Sequence, residues 1–107
     1  MDDDNQTPIP PSFVALFVPP GRTRPTQSRA QISERYELCE DMAQMLTEPA
    51  QTTLFALGIT EGLVLERILG GLLTPDAGLS PAEARWVGTR LAELLGWDPP
   101  VADEQTQ

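Results

Sequence analysis

The sequence predicts an all-α protein: a small bundle of three to five helices with a proline-rich N-terminal segment and disordered termini. Apolar residues recur at spacings of three and four through most of residues 28–97, which is the period of a helix with one buried face. Ser28, Thr60 and Ser80 each stand where a helix-capping residue is expected. A chain of 107 residues makes at most one domain of this kind.

The proline-rich segment, residues 9–27, encloses one apolar block, residues 13–18. Ser12 could cap a short helix, which the spacing of the larger apolar residues favours. Val14 and Val18 would suit a strand equally well, so both structures stay open. The residues at helical spacing are Phe13, Leu16 and Phe17.

The first long helix is predicted to begin near Ser28, where Ser28 and Gln31 form a capping-box pattern. Pro49 is expected to end this helix, or to lie in the first turn of a second one capped by Thr47. No internal repeat or coiled-coil heptad pattern is recognised in the chain. The apolar stripe of the first helix consists of Ile32, Tyr36, Cys39, Ala43 and Leu46, widened by Leu38, Met42 and Met45.

The second, shorter helix should end near Leu57, with Gly58 as the residue that follows it. Thr60 is the predicted cap of a third helix that is apolar nearly all round, so we expect that helix to be the most buried. Gly70 and Gly71 should weaken its end. Its apolar residues are Leu63, Val64, Leu65, Ile68, Leu69, Leu72 and Leu73.

The last helix has the strongest start signal in the chain. Ser80 is its predicted N-cap, Pro81 its first residue, and Glu83 completes a capping box. Gly96 should end it, and Trp97 should fold back onto the bundle. Its apolar face consists of Ala84, Val87, Leu91, Leu94 and Leu95.

These elements predict four segments. Residues 1–8 form a disordered acidic tail and residues 98–107 a second disordered tail, because neither has enough apolar surface to offset its ordering entropy. Residues 28–97 form the helical bundle. Residues 9–27 pack on that bundle.

The charge of the chain is acidic and unevenly distributed. Sixteen acids stand against seven bases, all of them arginine, and the formal net charge is −9. Acids and arginines balance in residues 1–36, so residues 37–107 carry the whole excess. An acidic body repels phosphate backbones and anionic lipids, so the charge disfavours nucleic acid as a partner and no membrane association is expected.

The residues needed for most catalytic and cofactor sites are missing. Histidine and lysine are absent, and no P-loop, dinucleotide-binding or nucleophile-elbow motif occurs. Cys39 lies in an apolar stripe beside acidic residues, which favours a small core residue over a nucleophile. The carboxylates of Glu37, Glu40 and Asp41 favour a solvated acidic face over a cation site. We therefore predict no enzyme, no cofactor and no metal site.

Residues 48–72 resemble a helix-turn-helix, because a glycine turn at Gly58 precedes a helix with apolar residues at the expected offsets. Two acids among the recognition positions would face phosphates, so a structural helix corner is favoured and a DNA-binding regulator is kept as the alternative. The recognition positions would be Glu61, Gly62, Glu66 and Arg67.

The apolar block at residues 13–18 has two interpretations. The favoured one is a lid on the protein's own core, because a small domain needs the apolar surface that the block would bury. The other is a docking segment for a partner, in which case the arginines beside it would engage acidic groups of that partner. The candidate partner-binding residues are Phe13, Leu16, Phe17, Arg22 and Arg24.

The chain resembles a family of small, uncharacterised β-proteobacterial proteins over about residues 9–98. Some members carry the label "ATPase with chaperone activity". Because this chain has neither a P-loop nor a lysine, the label implies association with a chaperone machine whose ATPase is another chain. The stretches that carry the resemblance are residues 9–13, 18–22, 35–41, 57–60 and 94–97.

The sequence thus predicts a non-enzymatic protein–protein interaction module whose partner is another protein. The chain opens Met-Asp-Asp-Asp without a basic, apolar leader, and its longest apolar run, residues 13–18, is too short to span a bilayer. A cytoplasmic location is therefore expected.

Overall fold

The computed structural model describes residues 8–99, and the all-α prediction is confirmed, with no strand in that range. The predicted disordered tails, residues 1–8 and 98–107, fall outside the described residues except at their inner edges. The elements are α1 (Pro11–Val14), a 3-10 turn (Ala15–Phe17), α2 (Arg29–Leu57), α3 (Glu61–Leu72), a second 3-10 turn (Pro75–Ala77) and α4 (Pro81–Leu95).

The chain divides inside α2 into two compact units. The N-terminal unit ends at Leu38 and the C-terminal unit begins at Cys39. The predicted segment boundary at residue 28 coincides instead with the start of α2. No described helix combines the length and the apolar character that a membrane crossing requires.

In the N-terminal unit, the apolar block is helical and one of its aromatic rings is fully buried. The Phe13 ring lies 5.4 Å from that of Phe17 and 5.6 Å from that of Tyr36 on α2, the latter edge-on. The prediction of a helical turn is confirmed, but Ser12 lies inside α1 and the N-cap position is Pro10. Proline at the first helical position suits this start, because its fixed φ is already helical.

The capping box at the start of α2 is confirmed. The backbone amide of Gln31 donates to Ser28 Oγ at 3.1 Å, and the backbone amide of Ser28 donates to Gln31 Oε1 at 3.0 Å. These reciprocal bonds satisfy two backbone donors that the first turn of a helix leaves without intrahelical partners.

The predicted break at Pro49 is wrong, because α2 runs through it as one helix of 29 residues. Proline has no amide hydrogen, so the carbonyl of Met45, four residues earlier, loses its usual helical donor. Pro49 and Met45 both lie on the exposed side of the helix. Water can take the place of that amide on this side, which lowers the cost of the proline. Thr47, the predicted N-cap of a second helix, lies inside α2, and its hydroxyl donates to the Gln44 carbonyl at 2.9 Å.

The core of the C-terminal unit is formed by α2, α3 and α4. Ala50 on α2 and Ala92 on α4 are small, which allows these helices to pack closely against branched residues of α3. Partly buried residues surround the centre, including Trp97, whose predicted return to the bundle is confirmed. The fully buried cluster consists of Ala50, Val64, Leu65, Leu91 and Ala92.

The most buried helix is α4 and not α3, so that prediction is wrong. Only three residues of α3 are buried, and Leu63 on its outer side is 46% exposed. Leu38 and Met45, expected to widen the buried stripe of α2, are 40% and 68% exposed. An apolar side chain is buried only where another element covers its face of the helix. The buried residues of α4 are Glu83, Ala84, Val87, Gly88, Leu91 and Ala92.

The caps of the last two helices are confirmed. Thr60 Oγ1 accepts from the Leu63 amide at 3.1 Å, and Ser80 exchanges both capping-box bonds with Glu83. The turn before α3 is made by Gly58, which adopts a left-handed φ of 64°.

We expect Phe13→Ala to lower the free energy of unfolding by about 3–5 kcal/mol, because it removes a fully buried ring. The matched control is Phe55→Ala, which removes the same ring from a site that is 85% exposed and should change stability by about 0.5 kcal/mol or less. Urea titrations followed by circular dichroism measure both values. Equal effects at the two sites would contradict the burial of Phe13.

We expect Gly58→Ala to cost about 1 kcal/mol, because its left-handed φ is strained for any residue with a Cβ. Gly70→Ala, inside α3, should instead gain about 0.5–1 kcal/mol. A Cβ meets no neighbouring atom within 4 Å at either site, so only the backbone conformation differs. Thermal melts of the two variants should therefore shift in opposite directions, and shifts of the same sign would argue against this turn.

Candidate functional site

An open, largely apolar groove lies in the C-terminal unit between the end of α2 and the middle of α3. Its volume is about 360 Å³, and Arg67 is the one charged residue that lines it. The tight turn at Gly58 brings the two helices together at this end. Val64 forms the bottom of the groove, since it is fully buried and belongs to the core. The lining residues are Thr52, Thr53, Ala56, Leu57, Val64, Arg67 and Ile68.

The groove continues an exposed stripe on α2 that lies beside the buried one. Residues of the stripe follow one another at spacings of three, four, three and four, which places them on a single face of the helix. Met45 is 68% exposed, Pro49, Thr52 and Ala56 are exposed, and Met42 is partly buried. We call this face the α2 stripe; it comprises Met42, Met45, Pro49, Thr52 and Ala56.

One edge of the α2 stripe carries a row of residues spaced by seven: Asp41, Glu48 and Phe55. All three are exposed, and Phe55 is the most exposed of the large apolar side chains at 85%. Two carboxylates and one aromatic ring thus border the stripe on the side away from the core. We call this row the acidic edge.

Glu40, next to the acidic edge in sequence, has a structural role. Its carboxylate receives two hydrogen bonds from the Arg90 guanidinium, Nε to Oε1 at 2.9 Å and Nη2 to Oε2 at 3.1 Å. Gln44 donates a third at 2.8 Å, and Arg90 also bonds Glu93 at 3.1 Å. This cluster ties α2 to α4 with the paired geometry that arginine and carboxylate favour.

The hydrogen bonds from Arg90 lower the pKa of the Glu40 carboxyl, against an opposing effect of partial burial, and the bond from Gln44 lowers it further. The hydrogen bond to Glu40 in turn raises the pKa of Arg90. Both shifts favour the charged pair.

The five sequence-predicted partner-binding residues are not brought together on one open surface. Phe13 is fully buried, Leu16 and Phe17 are partly buried, and Arg22 and Arg24 are exposed in the loop before α2. The Thr26 amide donates to the Phe17 carbonyl at 2.8 Å, which holds that loop against the 3-10 turn. Partner binding by these residues and the lid on the bundle therefore both stay predictions; the Phe13 ring is buried beside aromatic rings of the N-terminal unit.

The helix corner predicted at Gly58 is present. A turn at residues 58–60 separates the end of α2 from α3, and the four predicted recognition positions are all exposed. Two of them, Glu61 and Glu66, present carboxylates that would repel a phosphate backbone. These carboxylates disfavour the DNA-binding alternative, which stays a prediction.

Cys39 is fully buried, in agreement with its prediction as a small core residue. Between residues 8 and 99, no three acidic or cysteine side chains lie together in a way that could hold a metal ion. Of the three carboxylates on α2 considered for such a site, Glu37 and Asp41 are exposed and Glu40 pairs with Arg90.

Comparison of the chain with protein-family models, with curated proteins and with solved structures finds no significant match.

Sequence reasoning missed the groove and the α2 stripe. The spacing of Met42, Met45 and Ala56 was available as a signal, but Pro49 and Thr52 occupy the positions between them and hide the pattern from a search for apolar residues. Arg67 was singled out only as a DNA-recognition position. Its place in the groove depends on the packing of α3 against α2.

We expect Glu40→Gln to lower the free energy of unfolding at pH 7 by about 1–2 kcal/mol, because it breaks a partly buried charged pair. Since the folded-state pKa of Glu40 is lowered, its contribution is complete above the unfolded value of about 4.3 and is lost as pH falls through the folded value. The difference between wild type and variant should therefore shrink on acidification. Glu48→Gln, at an exposed site on the same helix, is the control; an equal loss there would contradict the pairing.

Proposed function

We propose that this protein is a non-enzymatic protein–protein interaction module that holds an apolar segment of another protein in the groove between α2 and α3. The observation that carries the proposal is the continuity of this groove with the exposed α2 stripe. Together they form an apolar surface that the described part of the chain leaves uncovered. Extended apolar surfaces bordered by polar residues are typical of sites that bind other proteins.

Exposed apolar side chains at the same end of the C-terminal unit support this function. Phe55 is 85% exposed, Leu57 50% and Leu63 46%, all within one turn of the α2–α3 corner. Aromatic and methionine side chains at such positions supply contact area, and Met45 can adapt its shape to a partner. The core of the unit is complete without them, since its buried cluster uses other residues.

A protein segment suits this surface better than a small molecule does. The groove is open and lies near the low end of the size of small-molecule sites, about 300–1,000 Å³. Its polar lining consists of two threonines and Arg67, with no carboxylate among them. A surface elongated along a helix is instead the form that accepts an apolar segment of a partner.

The remaining features of the proposal come from composition and resemblance. A cytoplasmic chaperone machine, with its ATPase on another chain, is the assembly that the family resemblance implies for the partner. The acidic charge and the carboxylates of Glu61 and Glu66 favour this interaction module over the DNA-binding alternative.

A site-specific photocrosslinker at Ala56, inside the groove, tests the proposal in the host cell. We expect discrete adducts with one or a few proteins, identified by mass spectrometry. A second variant that adds Thr52→Trp to the crosslinker should lose those adducts, because the indole fills the groove. Circular dichroism melts establish that each variant is folded.

The matched control places the same crosslinker at Thr89, an exposed position on α4 that does not line the groove. It should yield none of the adducts obtained from Ala56. Identical adducts from both positions, or adducts that survive Thr52→Trp, would refute binding in the groove.

A further inference from the structure

We infer that the occupant of the groove is an amphipathic helix of another protein, with lysine or arginine along the flank that faces Asp41 and Glu48. This inference rests on the proposed function and specifies the chemistry of the partner. Three features of the C-terminal unit carry it: the spacing of the α2 stripe, the acceptors that border it, and the acidity that disfavours a second copy of the chain.

The spacing of the α2 stripe selects a helix. Its residues repeat with an average period of 3.5, which is the seam of a helix that packs along another helix. Thr52 and Ala56 are small, so a partner backbone can approach closely there, and the groove beyond them receives a larger side chain. An extended strand would instead present side chains at a period of two and would match only alternate positions.

The acidic edge selects basic residues on that helix. Asp41 and Glu48 occupy the positions flanking the seam, where helix pairs place the charges that decide partner choice. Phe55 takes the next position of the same row and is exposed, so the partner should be basic opposite the first two and apolar opposite the third. This order of charges distinguishes the surface from a uniformly acidic one.

The backbone adds an acceptor at the centre of the stripe. Pro49 has no amide hydrogen to give to the carbonyl of Met45, four residues earlier in α2. That carbonyl lies within the same turn as the Glu48 side chain. A lysine or arginine of the partner can therefore reach two oxygen acceptors at once, which favours a donor-rich flank.

Arg67 adds a donor to the groove. It stands in a region otherwise lined by apolar and hydroxyl side chains. The carbonyls at the C-terminus of a helix carry partial negative charge and suit such a donor. The C-terminal end of the partner helix would thus lie at Arg67.

A second copy of the chain is a poor occupant. The net charge is −9, and pairing two α2 stripes antiparallel would bring the acidic edges together. Like charges opposed at the flanks of a helix pair disfavour that pairing, whereas a basic partner is attracted to the same surface.

Two synthetic amphipathic peptides of about three heptads test the inference. Both carry leucine at the seam positions; one has lysine and the other glutamate at the flanking positions. Isothermal titration calorimetry with the full chain should show that the lysine peptide binds at least about tenfold more tightly than the glutamate peptide at low salt. Glu48→Lys should reduce or reverse that ratio. Asp76→Lys, the same charge change in the second 3-10 turn, should leave the ratio within about twofold of its value once net charge is allowed for.

The outcomes separate this inference from the proposed function. Ala56→Trp should abolish binding of the lysine peptide. If both peptides bind equally and Ala56→Trp blocks both, the groove binds helices but the basic preference is wrong. If neither peptide binds, or if Ala56→Trp has no effect on binding, the inference is overturned, and the crosslinking from Ala56 decides the proposed function separately. A dimer in sedimentation that Ala56→Trp dissociates would identify a second copy as the occupant and overturn the inference.

Discussion

The continuity of α2 through Pro49 is the constraint on which the C-terminal unit depends. In one unbroken helix, each position keeps a constant angle to every other, so the buried face that includes Ala43 and Ala50 stays separate from the exposed α2 stripe. A break at Pro49 would have rotated residues 50–57 relative to the turns before them. The proline is tolerated because it lies on the solvent side, where water can satisfy the Met45 carbonyl. The same arrangement leaves an acceptor in the proposed docking surface.

Neighbouring carboxylates on α2 have different roles because the helix turns by about 100° per residue. Glu40 faces α4 and forms a paired, hydrogen-bonded bridge with Arg90, which stabilises the contact between the helices. Asp41 and Glu48 face solvent beside the α2 stripe. One acidic segment thus supplies both a structural bond and the charge of the proposed docking surface. The groove itself forms beside the turn at Gly58, where the chain passes from α2 into α3.

Features set by a few adjacent residues were predicted well from the sequence. The capping boxes at Ser28 and Ser80 and the cap at Thr60 follow from local hydrogen bonds, and the structure has all three. Which apolar residues are buried was predicted less well, since Met45 and Leu63 have the composition of core residues but no neighbour covers their faces. The break at Pro49 was wrong because the cost of a helical proline depends on whether its side of the helix is solvated. The groove could not be predicted, because it depends on how α3 packs against α2, and no local sequence pattern contains that information.

Backbone ¹³Cα chemical shifts across residues 44–54 test the central claim directly, because each reports the local conformation on either side of Pro49. The structure predicts helical secondary shifts for every residue through this range, with amide exchange slowest at buried Ala50. Random-coil shifts at Thr47 and Glu48 would show that the helix ends there. The α2 stripe would then be two separate faces, and both the groove proposal and the basic-helix inference would lose their foundation.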